Sequence, residues 1–353
     1  MLILSSVPPI EVYDDAGSAL ENILSVVAGR SLESGATVPV FFTFDYVKSI
    51  YPDLGIRSST WPQVAALVPT KTLHGQYVRS NVPGKYRYDR TEDVSVNLNI
   101  AEAIHRIRNG ELLQVVLSSR VQLASYDFGR ALKAFMEMDS SLYVFLYRFG
   151  NFTIIGSSPE NLVTAESGKL RIYPIAGSRP RGRNEEEDIR LAGELMNDSK
   201  ELLEHRMLVD LARNDLGKVS VPGSVKVTSS MEVQKFRTVQ HLVSCVESTL
   251  EEGTTLDGLM KGVFPAGTVS GAPKKKAIEL IDRYEVHPRG PYSGAIGLAS
   301  KTGIDAALLI RSVFSDNTGI YAQAGAGIVK DSNPSSEERE ISAKLGTVTV
   351  VTQ

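Results

Sequence analysis

Four glutamates stand at spacings that could place a metal ion between two helices. They form two pairs, Glu201 with Glu204 and Glu337 with Glu340. Side chains at this spacing lie on one face of a helix. In proteins Mg²⁺ commonly takes one or two carboxylates together with water and an anionic substrate. The spacing leaves two interpretations open: a magnesium site between facing helices or, more commonly, surface carboxylates in salt bridges.

His241 and Cys245 stand in an apolar segment, 239–246, that the sequence predicts to be helical. A histidine on an apolar helix is most often a core residue, yet imidazole can also transfer protons near neutral pH. Cys245 does not follow the strand-to-helix pattern of a glutamine-hydrolysing nucleophile. We therefore expect a structural thiol, and we keep His241 as a candidate for chemistry.

Glycine-rich segments could bind anions through their backbone N–H groups. We predict a glycine turn between a strand and a helix at 323–332, and either an anion-binding turn or an ordered loop at 174–182. The segment 264–276 does not match the phosphate-binding pattern G-x-x-x-x-G-K-[ST], which argues against a nucleotide site. The lysine run 274–276 is expected to open a helix and to be mostly exposed to solvent.

Predicted helices and strands alternate along the chain and also form meanders. Helices are predicted near 19–28, 99–109, 185–215, 231–251 and 275–284, and strands at 112–123, 142–150, 151–158, 293–300, 304–315, 319–329 and 347–352. Gly150 and Asn151 suit a hairpin turn, and the acidic run 185–188 suits a solvated helix start. The predicted fold class is α/β (α+β), with layered, largely antiparallel sheets and flanking helices.

Composition restricts the class of protein. The 353 residues include 38 Lys and Arg and 41 Asp and Glu, which gives a net charge of −3, so nothing calls for a nucleic-acid partner. A single cysteine cannot form an internal disulfide, which favours a reducing compartment. We find no apolar run of membrane-spanning length and no signal-peptide pattern. The expected location is cytoplasmic, without a membrane partner.

Five segments together resemble the chorismate-utilising enzyme family. In chain order they are PIAGSRPRG (174–182), EHRMLVDLARNDLG (204–217), FPAGTVSGAPK (264–274), RGPYSGAIG (289–297) and QAGAGIVKDS (323–332). The resemblance covers roughly residues 95 to 350. It implies the family's layered α/β fold, with a chorismate-binding catalytic domain at 94–353 and an abbreviated N-terminal region at 1–93 that contributes to the same fold.

The resemblance also implies a reaction, in which ammonia adds to C2 of chorismate as the C4 hydroxyl leaves. Elimination of pyruvate then gives anthranilate, a lyase reaction that begins tryptophan biosynthesis. The family match implies Mg²⁺ held by Glu204 and Glu340, with Glu337 and Glu201 in or near the ligand set. It also implies a separate glutamine amidotransferase subunit as the source of ammonia, and hence a hetero-oligomer.

Further roles follow from the same resemblance. Glu160 matches the general acid, a role that requires a raised pKa, and His241 matches a histidine of the pyruvate-eliminating stage. Glu201 and Thr268 match other catalytic positions, and Tyr292 and Arg311 match groups that hold the enolpyruvyl carboxylate. The remaining matches to substrate contacts are Gln114, Ala176, Gly177, Ser178, Gly325, Ala326, Gly327 and Lys344.

Two positions separate the branches of the family. Relatives that make aminodeoxychorismate often carry a nucleophilic lysine where this chain has Ala176, and isochorismate-forming relatives carry a lysine base where it has Gln114. Neither a methyl group nor an amide can do that work, so the expected product is anthranilate. The alternatives are an aminodeoxychorismate-forming enzyme and, less favoured, an isochorismate- or salicylate-forming one.

Three departures from the family pattern stand out. Ser178 replaces the usual threonine and keeps its hydroxyl. The N-terminal part is short, and the segment 139–145 lacks the prolines and methionine of the family pattern. The segment SLESG (31–35) is similar to a motif of the tryptophan feedback site. These departures fall largely on the feedback region, which puts inhibition by tryptophan in question.

Overall fold

Antiparallel sheets with flanking helices form the fold of the residues described by the computed structural model, which are 2–5, 11–13, 37–66, 71–74, 96–138, 141–236 and 239–349. The strands are β1 (Leu2–Ser5), β2 (Glu11–Tyr13), β3 (Val38–Phe42), β4 (Val64–Ala66), β5 (Lys71–His74), β6 (Gln114–Leu123), β7 (Tyr143–Phe149), β8 (Phe152–Ser158), β9 (Asn161–Glu166), β10 (Lys169–Ile172), β11 (Ile175–Pro180), β12 (Lys226–Lys235), β13 (Val239–Thr249), β14 (Gly271–Ala272), β15 (Ala295–Ser300), β16 (Gly303–Leu308), β17 (Ser312–Asp316) and β18 (Gly319–Ile328). The helices are α1 (Val47–Ile50), α2 (Val96–Arg108), α3 (Phe128–Met138), α4 (Glu185–Asn197), α5 (Ser199–Gly217), α6 (Leu256–Val263), α7 (Lys274–Tyr284) and α8 (Pro334–Thr349). The helix predicted at 19–28 and the segment 31–35 lie outside the described residues.

Two sheets carry most of the strands. The larger sheet has the order β11-β13-β10-β9-β16-β15-β3-β4-β2, with β12 paired to β13, and the smaller has the order β14-β6-β18-β17-β8-β7. Helix α5 packs against β11 and β13, α7 against β6, and α8 against β18. The predicted fold class of layered, largely antiparallel sheets with flanking helices is confirmed. Among the described residues, no helix is both long enough and apolar enough to cross a membrane.

Several predicted elements are present because local signals agree with the packing. Ile100, Ile104 and Ile107 of α2 are all buried in the core, as helical periodicity requires, and Gly110 follows the helix with a φ of 79°. Strands β7 and β8 form the hairpin predicted at Gly150, whose φ is 53°. Helix α5 begins at a cap, because the Asp198 carboxylate accepts the N–H groups of the first turn.

The helix predicted at 231–251 is wrong, because this segment forms parts of β12 and β13. Both His241 and Cys245 therefore lie on a strand. A buried strand and a buried helix both produce a continuous apolar run, and the β-branched residues of β13 favour the strand. The strand lies between β12 on one edge and β11 and β10 on the other, which buries His241 and leaves Cys245 partly exposed.

The strand predicted at 347–352 is wrong for residues 347–349, which belong to α8, and its remainder lies outside the described residues. Ile341, Leu345 and Val348 are all buried at helical spacing, so core packing outweighs the β propensity of the valines and threonines. The segment 304–315 is two strands, β16 and β17, rather than one. Arg311 interrupts it with a φ of 48°, which ladder geometry does not allow.

Other corrections concern segments with expected turns or solvent exposure. Residues 323–328 belong to β18 rather than to a glycine turn, and 175–180 form β11. Lys274 opens α7 as predicted but is buried, with its Nζ 2.6 Å from an Asp215 carboxylate oxygen. Asp188 is the one buried member of the acidic run, because Arg181 binds its carboxylate at 2.8 Å.

Candidate functional site

A pocket of about 250 Å³ lies where the two sheets approach each other. Its walls come from β6, the turn after β8, β11, β13, the segment 268–269, the segments before β15 and β17, β18 and α8. Ten residues that the sequence indicated for chemistry or binding line it: Glu160, Ala176, Gly177, Ser178, His241, Thr268, Tyr292, Arg311, Gly325 and Lys344. The volume suits a small organic molecule.

Glu160 is the acidic group of the pocket wall. Burial raises the pKa of its carboxyl to about 7, although contact with Thr268 and the positive charges of Lys344 and Arg311 act in the opposite direction. Its backbone is fixed because Glu160 O accepts the N–H of Leu308 at 3.0 Å. The carboxyl is therefore poised near neutral pH to hold or to release a proton.

Thr268 lies beside this acid. The hydroxyl favours the charged form of Glu160, yet Thr268 Oγ1 is buried without a hydrogen-bond partner among the described residues. A buried hydroxyl without a partner is uncommon in proteins. The hydroxyl is thus close to the Glu160 carboxyl without a well-formed hydrogen bond to it, and it can donate to a molecule in the pocket.

His241 is held by the bulge in β11. Its Nδ1 lies 2.9 Å from the Gly177 carbonyl oxygen and 2.9 Å from Ser178 Oγ. Burial and the charge of Arg311 lower the pKa of His241, so the ring is neutral at pH 7. A carbonyl oxygen only accepts hydrogen bonds, so Nδ1 carries the hydrogen and Nε2 keeps a free lone pair.

Gly177 makes this arrangement possible. Its φ of 68° lies in the left-handed region, and a Cβ there would approach Leu195 Cδ1 at 2.7 Å and Glu201 Oε2 at 3.2 Å. The register of β11 shifts between Ala176 and Ser178, which turns the Gly177 carbonyl towards His241. The same glycine brings Glu201 on α5 against the pocket wall.

Arg311 and Lys344 supply positive charge to the pocket. Both lie close enough to Glu160 to lower the pKa of its carboxyl. Lys344 Nζ donates to the Gly325 carbonyl at 3.0 Å and lies 2.7 Å from Glu340 Oε1. Arg311 has a left-handed backbone conformation that is uncommon outside glycine and is often found at functional sites. The pocket is therefore suited to an anionic ligand.

Tyr292 packs against Gly325 in the pocket wall. A Cβ on Gly325 would lie 2.8 Å from the Tyr292 hydroxyl and 2.8 Å from the Leu117 carbonyl oxygen, so only glycine fits. Tyr292 is 3% exposed, and burial raises the pKa of its hydroxyl to about 12. The hydroxyl consequently stays protonated and can donate to a ligand.

Gln114 lies near the start of β6, beside Gly327. A Cβ on Gly327 would lie 2.7 Å from Gln114 Nε2, and Gln114 Oε1 is buried without a hydrogen-bond partner among the described residues. Ala326 pairs with Leu117 across the β6–β18 ladder and is fully buried. These three residues lie behind the pocket surface rather than on it.

The four glutamates lie on α5 and α8. Glu204 is near both Glu201 and Glu340: partial burial and then these like charges raise its pKa, although its side chain reaches solvent. Glu337 lies in the first turn of α8, one turn before Glu340. No three His, Cys, Asp or Glu side chains are arranged as a complete metal site in the described ranges. Two carboxylates are nevertheless enough for Mg²⁺ when an anionic substrate completes the ligands.

Sequence reasoning missed several pocket residues. Gln323, Val116, Val269, Ile310 and Val348 line the pocket as well. Gln323 is polar and 3% exposed, and alternation along β18 was its available signal, since Gln323 and Gly325 share one face of the strand. The apolar residues carry no signal that separates them from other core positions.

Comparison with protein families matches residues 68–350 to the chorismate binding enzyme family. Anthranilate synthase component 1 of Aeropyrum pernix is 48% identical over 329 residues, which cover 92% of this chain and 73% of that protein. The component 1 proteins of Saccharolobus solfataricus and Pseudomonas aeruginosa are 46% and 44% identical, over 72% and 67% of this chain. The matches cover 62% and 50% of those two relatives, so the chain spans between half and three quarters of their length.

Solved structures give the same result for the fold. Anthranilate synthase component I from Streptococcus pneumoniae TIGR4 matches with a TM-score of 0.82 and 30% identity, over 98% of this chain and 94% of that chain. MenF, the menaquinone-specific isochorismate synthase from Escherichia coli, matches with a TM-score of 0.78 and 20% identity, over 99% and 85%, and supports the fold alone. Since the family model covers most of the sequence, this chain belongs to the chorismate binding enzyme family.

Proposed function

We propose that the chain is the chorismate-binding component of an anthranilate synthase. It converts chorismate and ammonia into anthranilate and pyruvate, a lyase reaction that begins tryptophan biosynthesis. The named relatives support this reaction. The observation that carries the proposal is the pocket in which a carboxyl with a pKa of about 7, Glu160, lies near Arg311 and Lys344.

Substrate binding follows from the charges of the pocket. Chorismate is a dianion, and a chain with a net charge of −3 must concentrate positive charge where it binds such a molecule. The guanidinium of Arg311 and the hydroxyl of Tyr292 hold the enolpyruvyl carboxylate. An arginine fork suits a carboxylate because it can donate two parallel hydrogen bonds. Lys344 and the backbone around Gly325 face the rest of the molecule.

Glu160 acts in the first stage. The C4 hydroxyl is a poor leaving group until it is protonated, and a protonated Glu160 donates to it, so that it leaves as water. Ammonia forms its bond to C2 as the ring double bonds shift. Ala176 leaves space for ammonia where a lysine would itself attack, and Thr268 Oγ1 has a free hydrogen bond to offer to the reacting groups.

His241 acts in the second stage. Nε2 has a free lone pair and takes the proton from C2 as the bond between C3 and the enolpyruvyl oxygen breaks. The ring becomes aromatic, and the released enolate of pyruvate takes up a proton at its methylene carbon to become pyruvate. The Gly177 carbonyl holds the ring in the required tautomer and stabilises the imidazolium that forms.

Glu204 and Glu340 are the proposed ligands of Mg²⁺, with Glu201 and Glu337 close by. Their fit rests on charge, since Glu204 lies near the like charges of Glu201 and Glu340, which a bound cation would relieve. When bound, Mg²⁺ would neutralise the ring carboxylate of chorismate and favour loss of the C4 hydroxyl. Lys344 links this cluster to the pocket through Glu340.

An amidotransferase subunit is the proposed source of ammonia. The relatives are named as component 1, which implies a second component in their enzymes. Cys245 lies in the middle of β13 rather than at a nucleophile turn. We therefore propose a hetero-oligomer in the cytoplasm, with glutamine hydrolysis on the other subunit.

Aminodeoxychorismate formation is the second candidate. Incubating the purified protein with chorismate, Mg²⁺ and ammonium salt at slightly alkaline pH separates the two, because anthranilate is fluorescent and aminodeoxychorismate is not aromatic. We expect anthranilate fluorescence together with an equimolar amount of pyruvate. A non-aromatic aminated product without pyruvate would reject the proposed function and favour the second candidate.

A further inference from the structure

A buried ion pair outside the proposed catalytic groups joins Glu285, at the end of α7, to Arg289. The side chains are 4% and 1% exposed, and Arg289 Nη2 lies 2.6 Å from Glu285 Oε1. Burying two charges is costly, and the attraction between them recovers that cost only when every donor and acceptor is satisfied. This pair meets that condition, so its other contacts indicate what it holds in place.

All five N–H groups of Arg289 have acceptors. Nε donates to the Glu285 carboxylate, Nη1 to the Val269 carbonyl at 2.6 Å and to Ser293 Oγ at 3.1 Å, and Nη2 to the Val116 carbonyl at 2.7 Å and to Glu285. Val269 and Val116 both line the pocket. One guanidinium therefore fixes the segment that carries Thr268 relative to β6.

The guanidinium also contacts the aromatic wall. Its carbon lies 5.4 Å from the ring centre of Tyr292 and 4.9 Å from that of Phe44. Tyr292 is the pocket tyrosine whose hydroxyl packs over Gly325. Arg289 therefore also fixes the position of the tyrosine ring.

Glu285 extends the same connection to β18. Its Oε1 accepts the N–H of Ser118 at 2.9 Å and the Ser118 hydroxyl at 2.7 Å, and Ser118 Oγ accepts from Gln323 Nε2 at 2.8 Å. Gln323 lines the pocket. The contacts of the pair thus lead to Val116, Val269, Tyr292 and Gln323, four pocket residues from different parts of the chain.

We propose that Arg289 and Glu285 are a positioning pair that sets the shape of the substrate pocket, without touching the substrate. The inference rests on the proposed function, because the pocket must hold chorismate. Lysine at position 289 keeps the charge but has three donors in place of five, so it cannot hold the Val116 and Val269 carbonyls, Ser293 and Glu285 together. Misplacing a pocket wall by about an ångström can cost up to ~100-fold.

The test compares Arg289→Lys with the double variant Glu285→Leu, Arg289→Met. KM and kcat are measured by anthranilate fluorescence, the Kd of chorismate by calorimetry, and Tm by thermal unfolding. Removing both charges from a buried pair often leaves stability near that of the wild type. We expect both variants to raise KM and Kd by about tenfold or more, with a smaller change in kcat. The Tm of both variants should nevertheless fall, because the Val116 and Val269 carbonyls lose their donor, and the Tm is therefore compared with that of the control.

Asp316→Asn is the matched control, because this carboxylate accepts the Trp61 indole N–H at 2.8 Å outside the pocket. It should lower Tm with KM within about twofold of the wild type. Unchanged KM and Kd in Arg289→Lys and in the double variant would overturn the inference. Equal rises in the control would overturn it too, as they would reflect general destabilisation. A wild type that binds chorismate but forms no anthranilate would reject the proposed function alone, because the Kd values still report on the pair.

Discussion

His241 Nδ1 is bonded to the Gly177 carbonyl oxygen at 2.9 Å, and this contact fixes which ring nitrogen carries the hydrogen. The contact exists because the bulge in β11 turns the Gly177 carbonyl towards His241. In a regular ladder the same carbonyl would point along the sheet to the neighbouring strand. The histidine is thus oriented by backbone, and its free nitrogen is available to the pocket.

Replacing His241 by methionine should separate the two stages of the reaction. Methionine is similar to histidine in size but carries no base, so pyruvate elimination should slow more than amination. Chromatography of the products should reveal an aminated intermediate that retains the enolpyruvyl group.

Ser178→Ala is the comparison for this prediction, since it removes one neighbour of Nδ1 and leaves the Gly177 carbonyl in place. We expect a loss of no more than about tenfold, the value of one neutral hydrogen bond, without accumulation of the intermediate. If His241→Met slowed both stages equally, the histidine would be structural.

The acid role of Glu160 predicts a pH dependence. Burial raises the pKa of this carboxyl to about 7, and only the protonated form can donate to the leaving hydroxyl. At a constant concentration of free ammonia, kcat/KM for chorismate should therefore be highest below about pH 7 and fall as the pH rises through that value. Glu160→Gln should lose ~100-fold or more of kcat, and its residual rate should lack this transition. A kcat/KM that is flat from pH 6 to pH 8.5 would assign the acid elsewhere.

The carboxylate cluster on α5 and α8 predicts a loss of Mg²⁺ affinity in Glu204→Gln. The amide removes one negative charge from the proposed ligand set while keeping the shape of the side chain. Calorimetric titration with Mg²⁺ alone should give a Kd at least ~10-fold weaker, independently of any turnover. Glu186→Gln, which makes the same change at an exposed position of α4, should bind like the wild type. Equal affinity in both variants would exclude Glu204 as a ligand.

The close packing around Gly325 predicts that Gly325→Ala lowers stability, and Gly193→Ala serves as the comparison. In Gly325→Ala the new methyl group would meet the Tyr292 hydroxyl and the Leu117 carbonyl at 2.8 Å, so urea unfolding should show a loss of about 1–3 kcal/mol. KM should rise, since Tyr292 must move. A Cβ at Gly193, in α4, has nothing within 4 Å, and Gly193→Ala should be neutral or gain ~0.5–1 kcal/mol. Equal changes in the free energy of unfolding at both sites would mean that Tyr292 can move away from the new methyl group without loss of stability.

The sequence predicts most reliably the elements that carry a local signal, either apolar residues at helical spacing or a glycine at a hairpin turn. Ile100, Ile104 and Ile107 of α2 are buried together, and Gly150 turns the predicted hairpin, because these signals are local. The apolar run of β13 wrongly predicts a helix, because such a run fits either element when both edges of a strand are covered. Val348 is the reverse case: valine favours strands, but this residue belongs to α8 because its side chain packs in the core at helical spacing from Ile341 and Leu345.

The residues of the candidate site also fall into those that the sequence predicts and those that only the packing of distant segments reveals. Glu160, His241 and Arg311 were found because their segments resemble those of a family, and the structure places them around one pocket. No spacing rule predicts that Ser178 and His241 stand opposite each other, because the contact depends on how β11 pairs with β13. Arg289 was missed for a similar reason, since its importance lies in carbonyl groups distant in the sequence.

The position of β3 in the larger sheet shows that the residues matched by the family model are not the whole of the folding unit. The family match begins at residue 68, after β3 and β4, yet β3 lies between β15 and β4. A chain reduced to the matched residues would lose Phe41 and Phe42 from the core and leave one edge of β15 without a hydrogen-bonded neighbour. Such an edge invites pairing with other chains. The unit that folds is therefore larger than the part that the family model matches, because it includes the segment 37–66.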